Sequence, residues 1–250
     1  MKALITGASS GIGRDMARYL STLGYDIIAV AQNEERLKAL QSELKTNVEI
    51  ISMDLSKKEN CINLYEKTKN ENIDLLINNA GFGVFGTFDE TDLEREISLI
   101  NTNITAVHIL TKLFLKDMIK RNSGRILNVS SIASFAPGPL MGAYYSSKAY
   151  VTSMTKGIYR ELKKRKSKVH ISVLCPGPVA TNFNNVAGVH FSIKELSSEY
   201  VAKYAIDKTL KNKLVIVPGF LNKVIRVLSK IAPSKLASEI VYHKQTRKNK

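Results

Sequence analysis

The sequence predicts a single α/β domain built on a doubly wound parallel sheet, and three observations support this prediction. Seven short apolar runs alternate with stretches of helical periodicity along the 250 residues. The runs are continuously apolar, which is typical of strands covered by helices on both faces. No internal repeat, low-complexity linker or Pro/Gly-rich boundary divides the chain. We therefore expect one domain over residues 1–250.

The predicted elements alternate from the first residues onward. After the first apolar run, the apolar side chains recur at the spacing of one helix face, at Ile12, Met16, Tyr19, Leu20 and Leu23. The predicted strands are Ala3–Thr6, Asp26–Ala31, Val48–Met53, Leu75–Asn78, Gly124–Val129, Val169–Leu174 and Leu214–Val217. The further predicted helices are Glu34–Leu44, Cys61–Asn70, Leu93–Lys120, Tyr144–Lys166 and Glu199–Leu210.

The composition excludes several classes of protein. Hydrophobic residues make up 44% of the chain and charged residues 24%, so the chain can bury a large core and is not disordered as a whole. It has no apolar stretch of about 18 residues, the length that predicts a transmembrane span. Met1 and Lys2 lead directly into the first strand, so we expect no signal peptide. Cys61 and Cys175 are too few for a disulfide framework or a four-thiolate zinc site, so we expect a cytoplasmic protein without a bound metal.

The positive charge of the chain is concentrated in two segments. The formal net charge is +15, of which residues 156–170 carry +6 and residues 221–250 carry +7. The first segment includes the run Lys163–Lys168, which follows a predicted helix and there complements the helix dipole. Neither segment has interleaved aromatic residues or matches a nucleic-acid reader motif. We therefore expect no nucleic-acid partner.

The second basic segment contains a predicted amphipathic helix over Phe220–Ile231. We expect this helix to pack on the body of the protein or on a neighbouring subunit. The alternative is a weak peripheral contact with an anionic membrane surface. Residues 246–250 are expected to form a flexible basic tail. The apolar face of the helix comprises Leu221, Val224, Ile225 and Leu228, and its basic face comprises Lys223, Arg226 and Lys230.

The turn after the first strand has the glycine pattern of a dinucleotide-binding loop. Gly7 permits a tight turn, Gly11 lets the backbone approach a pyrophosphate, and Gly13 lets the helix pack against the strand. The loop lies between a strand and the N-terminus of a helix, where backbone N–H groups favour phosphate. We therefore predict a nucleotide site at this turn.

The spacing Gly-x3-Gly-x-Gly, preceded by Thr6, resembles the short-chain dehydrogenase/reductase family in its single-domain subgroup. The resemblance continues through ordered motifs and thins after about residue 183. It implies a Rossmann-type fold, hydride transfer with a nicotinamide cofactor, and a homodimer or homotetramer. The further motif residues are Asn78, Asn79, Ala80, Gly81, Asn103, Ser131, Tyr144, Lys148, Pro176, Gly177, Pro178, Val179 and Thr181.

Tyr144 and Lys148 are candidates for acid–base chemistry on physical grounds. At i and i+4 they lie on one face of a predicted helix. A nearby ammonium stabilises a phenolate, so we expect Lys148 to lower the pKa of Tyr144 below the usual value of about 10. Ser131 follows a predicted strand, at the sheet edge where doubly wound folds bind ligands.

Two of these residues have a neighbour of the same type. The family's separation of thirteen residues between serine and tyrosine pairs Ser131, and not Ser130, with Tyr144. Only Tyr144 has a lysine four residues further on. Tyr145 points about 100° away around the helix and is expected to be a packing residue.

The resemblance implies a role for each member of the catalytic group. Tyr144 exchanges a proton with the substrate oxygen, Ser131 hydrogen-bonds that oxygen, and Lys148 holds the ribose hydroxyls of the cofactor. Asn103 holds a water and the Lys148 side chain in a proton relay. It is preferred to Asn101 because the residues that follow it match the family pattern.

The end of the second predicted strand favours NADP over NAD. Ala31 fills the position where an NAD site has an acidic residue on the ribose 2′-hydroxyl. Arg14 resembles the basic residue of NADP-preferring members. Gln32 takes the place of the second basic residue of such members, for which Arg36 is a substitute. We expect NADP, with NAD as the alternative.

The remaining cofactor contacts follow from the resemblance. Asp54 corresponds to the adenine-contacting residue of the family, although it is also suited to cap the next helix. The full predicted cofactor site comprises Gly7, Ser9, Ser10, Gly11, Ile12, Gly13, Arg14, Gln32, Asp54, Leu55, Asn79, Ala80, Gly81, Tyr144, Lys148, Pro176, Gly177, Val179 and Thr181.

Two loops beyond the strand ends, Ile132–Met141 and residues 182–197, are expected to hold the substrate. Neither carries clustered Arg or Lys, so we expect a small apolar ketone, aldehyde or secondary alcohol. Two alternatives stay open: a catalytically silent nucleotide-binding protein on the same fold, and an acyl-carrier ketoreductase with a basic docking patch. The apolar candidates are Phe135, Pro137, Pro139, Leu140, Met141, Phe183, Val186, Val189 and Phe191.

Overall fold

Seven parallel strands form the central sheet of the molecule. The computed structural model describes residues 1–183, 195–229 and 231–246. The strands of the sheet are β1 (Lys2–Thr6), β2 (Asp26–Ala31), β3 (Val48–Ser52), β4 (Leu75–Asn78), β5 (Arg125–Val129), β6 (His170–Leu174) and β9 (Val215–Ile216). Their spatial order is β3-β2-β1-β4-β5-β6-β9. A separate parallel ladder pairs β7 (Val179–Ala180) with β8 (Leu196–Ser197).

Helices cover both faces of this sheet, which confirms the predicted doubly wound α/β fold. The helices are α1 (Gly11–Thr22), α2 (Glu34–Glu43), α3 (Lys58–Thr68), α4 (Leu93–Ile100), α5 (Val107–Lys120), α6 (Gly142–Lys164), α7 (Ser198–Leu210), α8 (Phe220–Leu228) and α9 (Ser234–Thr246). The core side chains of α1, α2 and α7 pack on one face, and those of α3, α5 and α6 pack on the other.

The central strands are buried on both faces of the sheet, which accounts for their continuous apolar runs. Along β1, Ala3 and Ile5 join the core cluster beneath α1, α2 and α7, whereas Leu4 joins the opposite cluster together with Leu76 of β4. All four side chains are fully buried. β1 pairs with β2 on one side and with β4 on the other, so the strand order reverses here. In doubly wound sheets such a reversal opens a crevice at the carboxyl ends of the strands.

Residues 93–120, predicted as one helix, form two helices joined by a π-helical turn over Asn101–Ala106. Asn103 lies in this turn and is fully buried. Its side-chain amide accepts a hydrogen bond from the N–H of Phe82 at 3.1 Å and donates one to the carbonyl of Phe82 at 2.9 Å. We attribute the wider turn to this pairing, because π turns commonly reposition a side chain at a functional site.

The C-terminal segment differs most from its prediction. Of the expected apolar face of α8, Ile225 meets the body, whereas Leu221, Val224 and Leu228 are exposed; the expected contact with a neighbouring subunit stays a prediction. Asn222 also faces the body and is buried. A Cβ on Gly177 would lie only 2.4 Å from the Asn222 side chain, so the two residues are in close contact. α8 therefore meets the body through Asn222 and Ile225 and not through its exposed apolar side chains.

Helix α9 was not predicted from the sequence pattern. Thr246, assigned above to the flexible tail, is its last residue, and residues 247–250 lie outside the described residues. Residues 184–194, which include Val186, Val189 and Phe191, also lie outside them, as does Lys230. Within the described part of the chain, no helix is long and apolar enough to cross a membrane.

Candidate active site

A cleft of about 390 Å³ lies at the carboxyl ends of the central strands. Its walls come from the segments after β1, β4, β5 and β6, from the first two turns of α6, and from the α8 and α9 segments. The predicted site residues that line it are Gly7, Ser9, Ser10, Gly11, Ile12, Asn79, Ala80, Gly81, Ser131, Tyr144, Lys148, Pro176, Gly177, Val179 and Thr181.

The glycines of the first turn are required by backbone conformation and by space. Gly7 and Gly11 have φ values of +67° and +54°, in the left-handed region that favours glycine. A Cβ on Gly11 would lie 2.9 Å from the Thr181 side chain. A Cβ on Gly13 would lie 2.4 Å from the Gly7 carbonyl oxygen. Gly13 therefore serves the close packing of α1 against the loop, whereas Gly7 and Gly11 shape the cleft.

The N-terminus of α1 faces the cleft without a side-chain cap. Ser10 is the N-cap residue, but its hydroxyl makes no capping hydrogen bond, and the first turn contains no acidic residue. Ser10, Gly11 and Ile12 all line the cleft. The free N–H groups and the helix dipole at this end favour a bound anion such as a pyrophosphate.

Asn79 ties the loop after β4 to the loop after β1. Its backbone N–H donates to the Thr6 hydroxyl at 3.0 Å, and its side-chain amide donates to the carbonyl oxygens of Thr6 and Gly7 at 3.0 and 3.1 Å. The N–H of Ala80 donates to the same Thr6 hydroxyl at 3.0 Å. These bonds fix the separation of two walls of the cleft.

Tyr144, Lys148 and Ser131 converge at the end of β5. The Ser131 hydroxyl lies close enough to the Tyr144 hydroxyl to lower its pKa, donates to the carbonyl of Pro176 at 3.4 Å and accepts a hydrogen bond from the N–H of Ala133 at 3.1 Å. Lys148 Nζ donates to the carbonyl of Val129 at 3.1 Å and lies 5.8 Å from the centroid of the Tyr144 ring. The exposed fractions of Tyr144, Ser131 and Lys148 are 9%, 9% and 5%. The three residues are therefore preorganised and almost fully buried.

Burial is the main cause of the pKa shifts of Tyr144 and Lys148. It raises the pKa of Tyr144 well above the ordinary value, and the Ser131 hydroxyl lowers that pKa only in part. Burial also lowers the pKa of Lys148 to about 8. The expected lowering of the Tyr144 pKa by Lys148 is thus wrong for this structure, because desolvation of the phenolate is the largest cause of the shift and Lys148 is not among its causes. Tyr144 carries its proton at neutral pH.

Ser130 and Tyr145, the neighbouring alternatives, have partners of their own. The Ser130 hydroxyl donates to the Lys148 carbonyl at 2.8 Å and accepts from the Thr152 hydroxyl at 2.8 Å, which fixes α6 against the end of β5. The Tyr145 hydroxyl accepts a hydrogen bond from Nε2 of Gln245 at 3.2 Å. Tyr145 also lines the cleft, so it is not a packing residue alone.

Asn103 lies behind Gly81 and outside the described lining of the cleft. A Cβ on Gly81 would lie 2.8 Å from Asn103 Oδ1 and 3.2 Å from Lys148 Nζ, so these two polar atoms approach the same point. The Asn103 amide also donates to the Ser147 hydroxyl at 3.1 Å. Asn103 is therefore close enough to Lys148 for a relay, while it also holds the loop after β4.

A second, polar cleft of about 390 Å³ adjoins the first at Ser9–Gly11, and both Arg14 and Arg36 line it. Arg14 Nε is buried and has no hydrogen-bond partner, and the nearest carboxylate oxygen of Asp15 is 3.8 Å away. Glu43 also lines this cleft, but it is paired with a neighbouring arginine at 2.6 Å. Two arginine residues thus line the second cleft, and the guanidinium group suits an additional phosphate.

Four predicted cofactor contacts fall outside the described linings of both clefts: Gly13, treated above, and Gln32, Asp54 and Leu55. The Gln32 amide donates to the Asp54 carboxylate at 2.8 Å, and that carboxylate also accepts the N–H of Ser56 at 2.9 Å. Asp54 does not cap the next helix, whose N-cap residue is Lys57. Leu55 is buried in the core. The roles of Gln32, Asp54 and Leu55 at a cofactor stay predictions.

Sequence reasoning missed the wall that the C-terminal segments contribute to the cleft. Ile225 and Ser229 line it from the α8 segment, and Val241, Lys244 and Gln245 line it from α9. Gln245 is only 1% exposed, and its Oε1 has no hydrogen-bond partner. Helical periodicity was the only available signal for these residues, and it does not tell which part of the body a helix meets.

A buried polar network beneath the cleft was also not predicted. The Asn78 amide donates to Asn128 Oδ1 at 2.8 Å and to the Thr111 hydroxyl at 3.0 Å, and the Asn128 amide donates to the Thr155 hydroxyl at 3.0 Å. The network joins β4 and β5 to α5 and α6. It therefore supports the two strands whose ends carry Asn79 and Ser131.

The residues of the two clefts fit a nicotinamide dinucleotide. The left-handed glycines leave room for a close backbone approach, and the uncapped N-terminus of α1 suits a pyrophosphate. Arg14 and Arg36 in the second cleft offer positive charge to a further anionic group. The buried Tyr144 hydroxyl and the Lys148 ammonium lie at the other end of the same continuous lining.

Comparisons with known proteins lead to the same family. A family model described as short chain dehydrogenase matches residues 1–189. The chain is 37% identical over 186 residues to the 3-oxoacyl-[acyl-carrier-protein] reductase FabG of Rickettsia prowazekii, covering 73% of this chain and 74% of that protein. It is 35% identical over 185 residues to an uncharacterized oxidoreductase of Staphylococcus saprophyticus, covering 72% and 78% of the two chains.

A solved structure extends the likeness to nearly the whole chain. The short-chain dehydrogenase from Sphingobium yanoikuyae in complex with NADPH has a TM-score of 0.82 and 26% identity, covering 93% of this chain and 96% of that one. The family model, the relatives and the shared fold agree with one another. The chain therefore belongs to the short-chain dehydrogenase family of NAD(P)-dependent oxidoreductases.

Proposed function

We propose that the protein is an NADP-dependent reductase of apolar ketones or aldehydes, with Tyr144 as its acid–base residue. The observation that supports this most is the buried Tyr144, which lines the glycine-lined cleft together with Ser131 and Lys148. A substrate carbonyl oxygen that enters the cleft meets the hydroxyls of Tyr144 and Ser131. The nicotinamide cofactor, when bound, supplies the hydride to the carbonyl carbon or accepts it in the reverse reaction.

The protein's own residues handle the proton and the charge. Tyr144 keeps its proton at neutral pH because its pKa is raised, so it can donate that proton to the oxygen that becomes an alcohol. Ser131 holds the same oxygen by a hydrogen bond. Lys148, fixed by the Val129 carbonyl, keeps a positive charge near the phenolate left behind. Lys148 then returns a proton to Tyr144, and solvent reprotonates Lys148 through a water molecule that Asn103 holds.

The preference for NADP rests on the second cleft and on the end of β2. Arg14 and Arg36 line the cleft and suit a 2′-phosphate, and Ala31 provides no acidic group that would repel it. We expect Arg14→Ala to weaken NADPH binding about tenfold or more while NADH binding changes little, since a charged hydrogen bond is lost. Arg160→Ala, an exposed position on α6, is the matched control. An equal loss for both nucleotides would contradict the preference.

The walls of the cleft support an apolar carbonyl substrate. Phe135, Met141, Phe183 and Ile225 contribute apolar surface. Lys244 is the one Lys or Arg besides the catalytic Lys148 among the described lining residues. A small substrate with several negative charges therefore lacks partners within the described lining.

An acyl-carrier-bound ketone is the second candidate substrate, because FabG relatives share more than 30% identity with the chain. The run Lys163–Lys168 does not suit such a carrier. It lies at the far end of α6, about 30 Å along the helix from Tyr144 at about 1.5 Å per residue. The family model also ends at residue 189, before the helices that wall the cleft. The relatives' substrate is therefore an alternative to be tested.

The proposal is tested by thermal-shift titration with NADPH and NADH, followed by turnover. A nucleotide at about 100 times its Kd should add about 2.7 kcal/mol to the free energy of unfolding. We expect a larger rise with NADPH, and oxidation of NADPH with aliphatic or aromatic ketones faster than with acyl thioesters. No shift with either nucleotide would contradict the proposal. The family resemblance also supports a homodimer or homotetramer, which sedimentation equilibrium measures.

A further inference from the structure

Helix α8 presents a stripe of large apolar side chains to solvent. Phe220 is 81% exposed, Val227 61%, Leu221 56% and Leu228 54%, and Val224 is exposed as well. We call these five residues the α8 stripe. In α9, Leu236 and Ile240 are exposed one helical turn apart, in addition.

The α8 stripe is a continuous face and not a scatter of single residues. At about 100° per residue, its five members fall within an arc of about 120° on the helix. The opposite side of the helix meets the body, where Asn222 is buried and Ile225 lines the cleft. Adjacent exposed apolar side chains of this size usually mark an interaction surface in a folded domain.

The charge around the stripe indicates which partner covers it. Lys223 borders the arc on the helix, and exposed Lys235 lies in the first turn of α9. Residues 221–250 carry eight Lys/Arg against one Glu. Two copies of the chain meeting through this face would bring these positive segments together, which costs energy. An anionic lipid surface supplies both an apolar layer and the opposite charge.

We propose that α8 lies on the surface of an anionic lipid bilayer, with its apolar stripe among the acyl chains and its basic residues at the headgroups. This is a peripheral attachment, in the plane of the interface. The inner side of the same helix forms part of the cleft wall, so docking brings the cleft close to the lipid. That consequence for substrate access rests on the proposed function, whereas the docking itself does not.

The test is co-sedimentation of the full chain with sucrose-loaded vesicles of phosphatidylcholine alone or with about 30% phosphatidylglycerol. We expect binding to the anionic vesicles at least tenfold tighter than to the neutral ones, and weaker binding as salt rises, because screening acts on exposed charges. Equal binding to both vesicle types, or binding to neither, would overturn the proposal. No step uses catalysis, so a negative result leaves the proposed function untouched.

Two variants make the test specific to the α8 stripe. Phe220→Ser/Leu221→Ser/Val227→Ser should weaken binding to anionic vesicles at least tenfold, and Lys223→Gln/Lys235→Gln should weaken it severalfold. The control Phe88→Ser/Leu93→Ser alters side chains that are 80% and 68% exposed in another part of the chain and should bind like wild type. All variants are first checked for an unchanged thermal midpoint.

The competing occupant, a second copy of the chain, has its own signature. In that case sedimentation velocity without lipid would show an oligomer that dissociates in the triple serine variant, and the wild type would not bind vesicles. That outcome would replace the membrane proposal with a subunit interface.

Discussion

The first 183 residues and the C-terminal helices α8 and α9 differ in how their sequence relates to their place in the structure. In the first part, buried strands carry short motifs whose residues meet at one cleft, and the family model covers this part. In the second part, α8 and α9 lie beyond the family model, expose apolar side chains and still line the same cleft. The contrast teaches that short sequence motifs mark the walls of the cleft that the family model covers, whereas the wall from α8 and α9 is identified only by the tertiary structure.

The largest expected effect is on kcat, at Tyr144 in the part of the chain that the family model covers. Tyr144→Phe should lower kcat by about 10²–10⁴-fold, because the proton donor is lost while the ring stays in place. The NADPH-induced thermal shift should remain. Tyr150→Phe, at an exposed tyrosine on the same helix, is the control and should keep wild-type kcat. Full activity of Tyr144→Phe would favour another acid or a catalytically silent protein.

The next effect tests how rigid the glycine loop is. Gly13→Ala should lower the free energy of unfolding by about 1–3 kcal/mol, because the new Cβ would lie 2.4 Å from a backbone oxygen that cannot shift cheaply. Gly157→Ala meets no atom within 4 Å inside α6 and should stabilise by about 0.5–1 kcal/mol. Denaturant unfolding of both variants measures the difference, and equal effects would contradict the close packing described here.

Burial of Lys148 gives a pH-dependent contribution to stability. Its pKa is lowered by burial from 10.5 to about 8, so the unfolded chain binds more protons than the folded chain between these values. The contribution of Lys148 to the free energy of unfolding should therefore rise with pH through this window. Lys148→Met should lack this rise. Parallel pH curves for wild type and variant, from denaturant unfolding, would be inconsistent with a desolvated ammonium.

The smallest expected effect is on KM, at the wall of the cleft that α9 forms. Gln245→Leu removes the amide that donates to Tyr145 and the unpartnered Oε1 in the cleft. We expect the KM for a carbonyl substrate to change about three- to tenfold, with the NADPH thermal shift retained. His243→Leu, on the exposed side of α9, is the control. Loss of nucleotide binding in Gln245→Leu would mean that α9 also supports the nucleotide site.

Much of the structure of residues 1–183 was predictable because the sequence signals in this part are local. An apolar run of strand length is buried wherever it is paired, and the glycines near residue 10 are required by a backbone that turns within a few residues. Asn103 was selected by its sequence context, but the π turn that carries it was not predictable. That turn depends on the Phe82 backbone, which lies 21 residues away in the sequence.

The sequence by itself determined the fold class and the alternation of strands and helices along the chain, and its resemblance to the family selected Ser131, Tyr144 and Lys148. Apolar periodicity and short motifs specify these features, and the parallel sheet brings the strand ends together. Tertiary structure alone decided the raised pKa of Tyr144, the contribution of Gln245 to the cleft and the exposure of the α8 stripe. An amphipathic pattern makes one helix face apolar, but the docking of the whole helix decides whether that face meets protein or solvent.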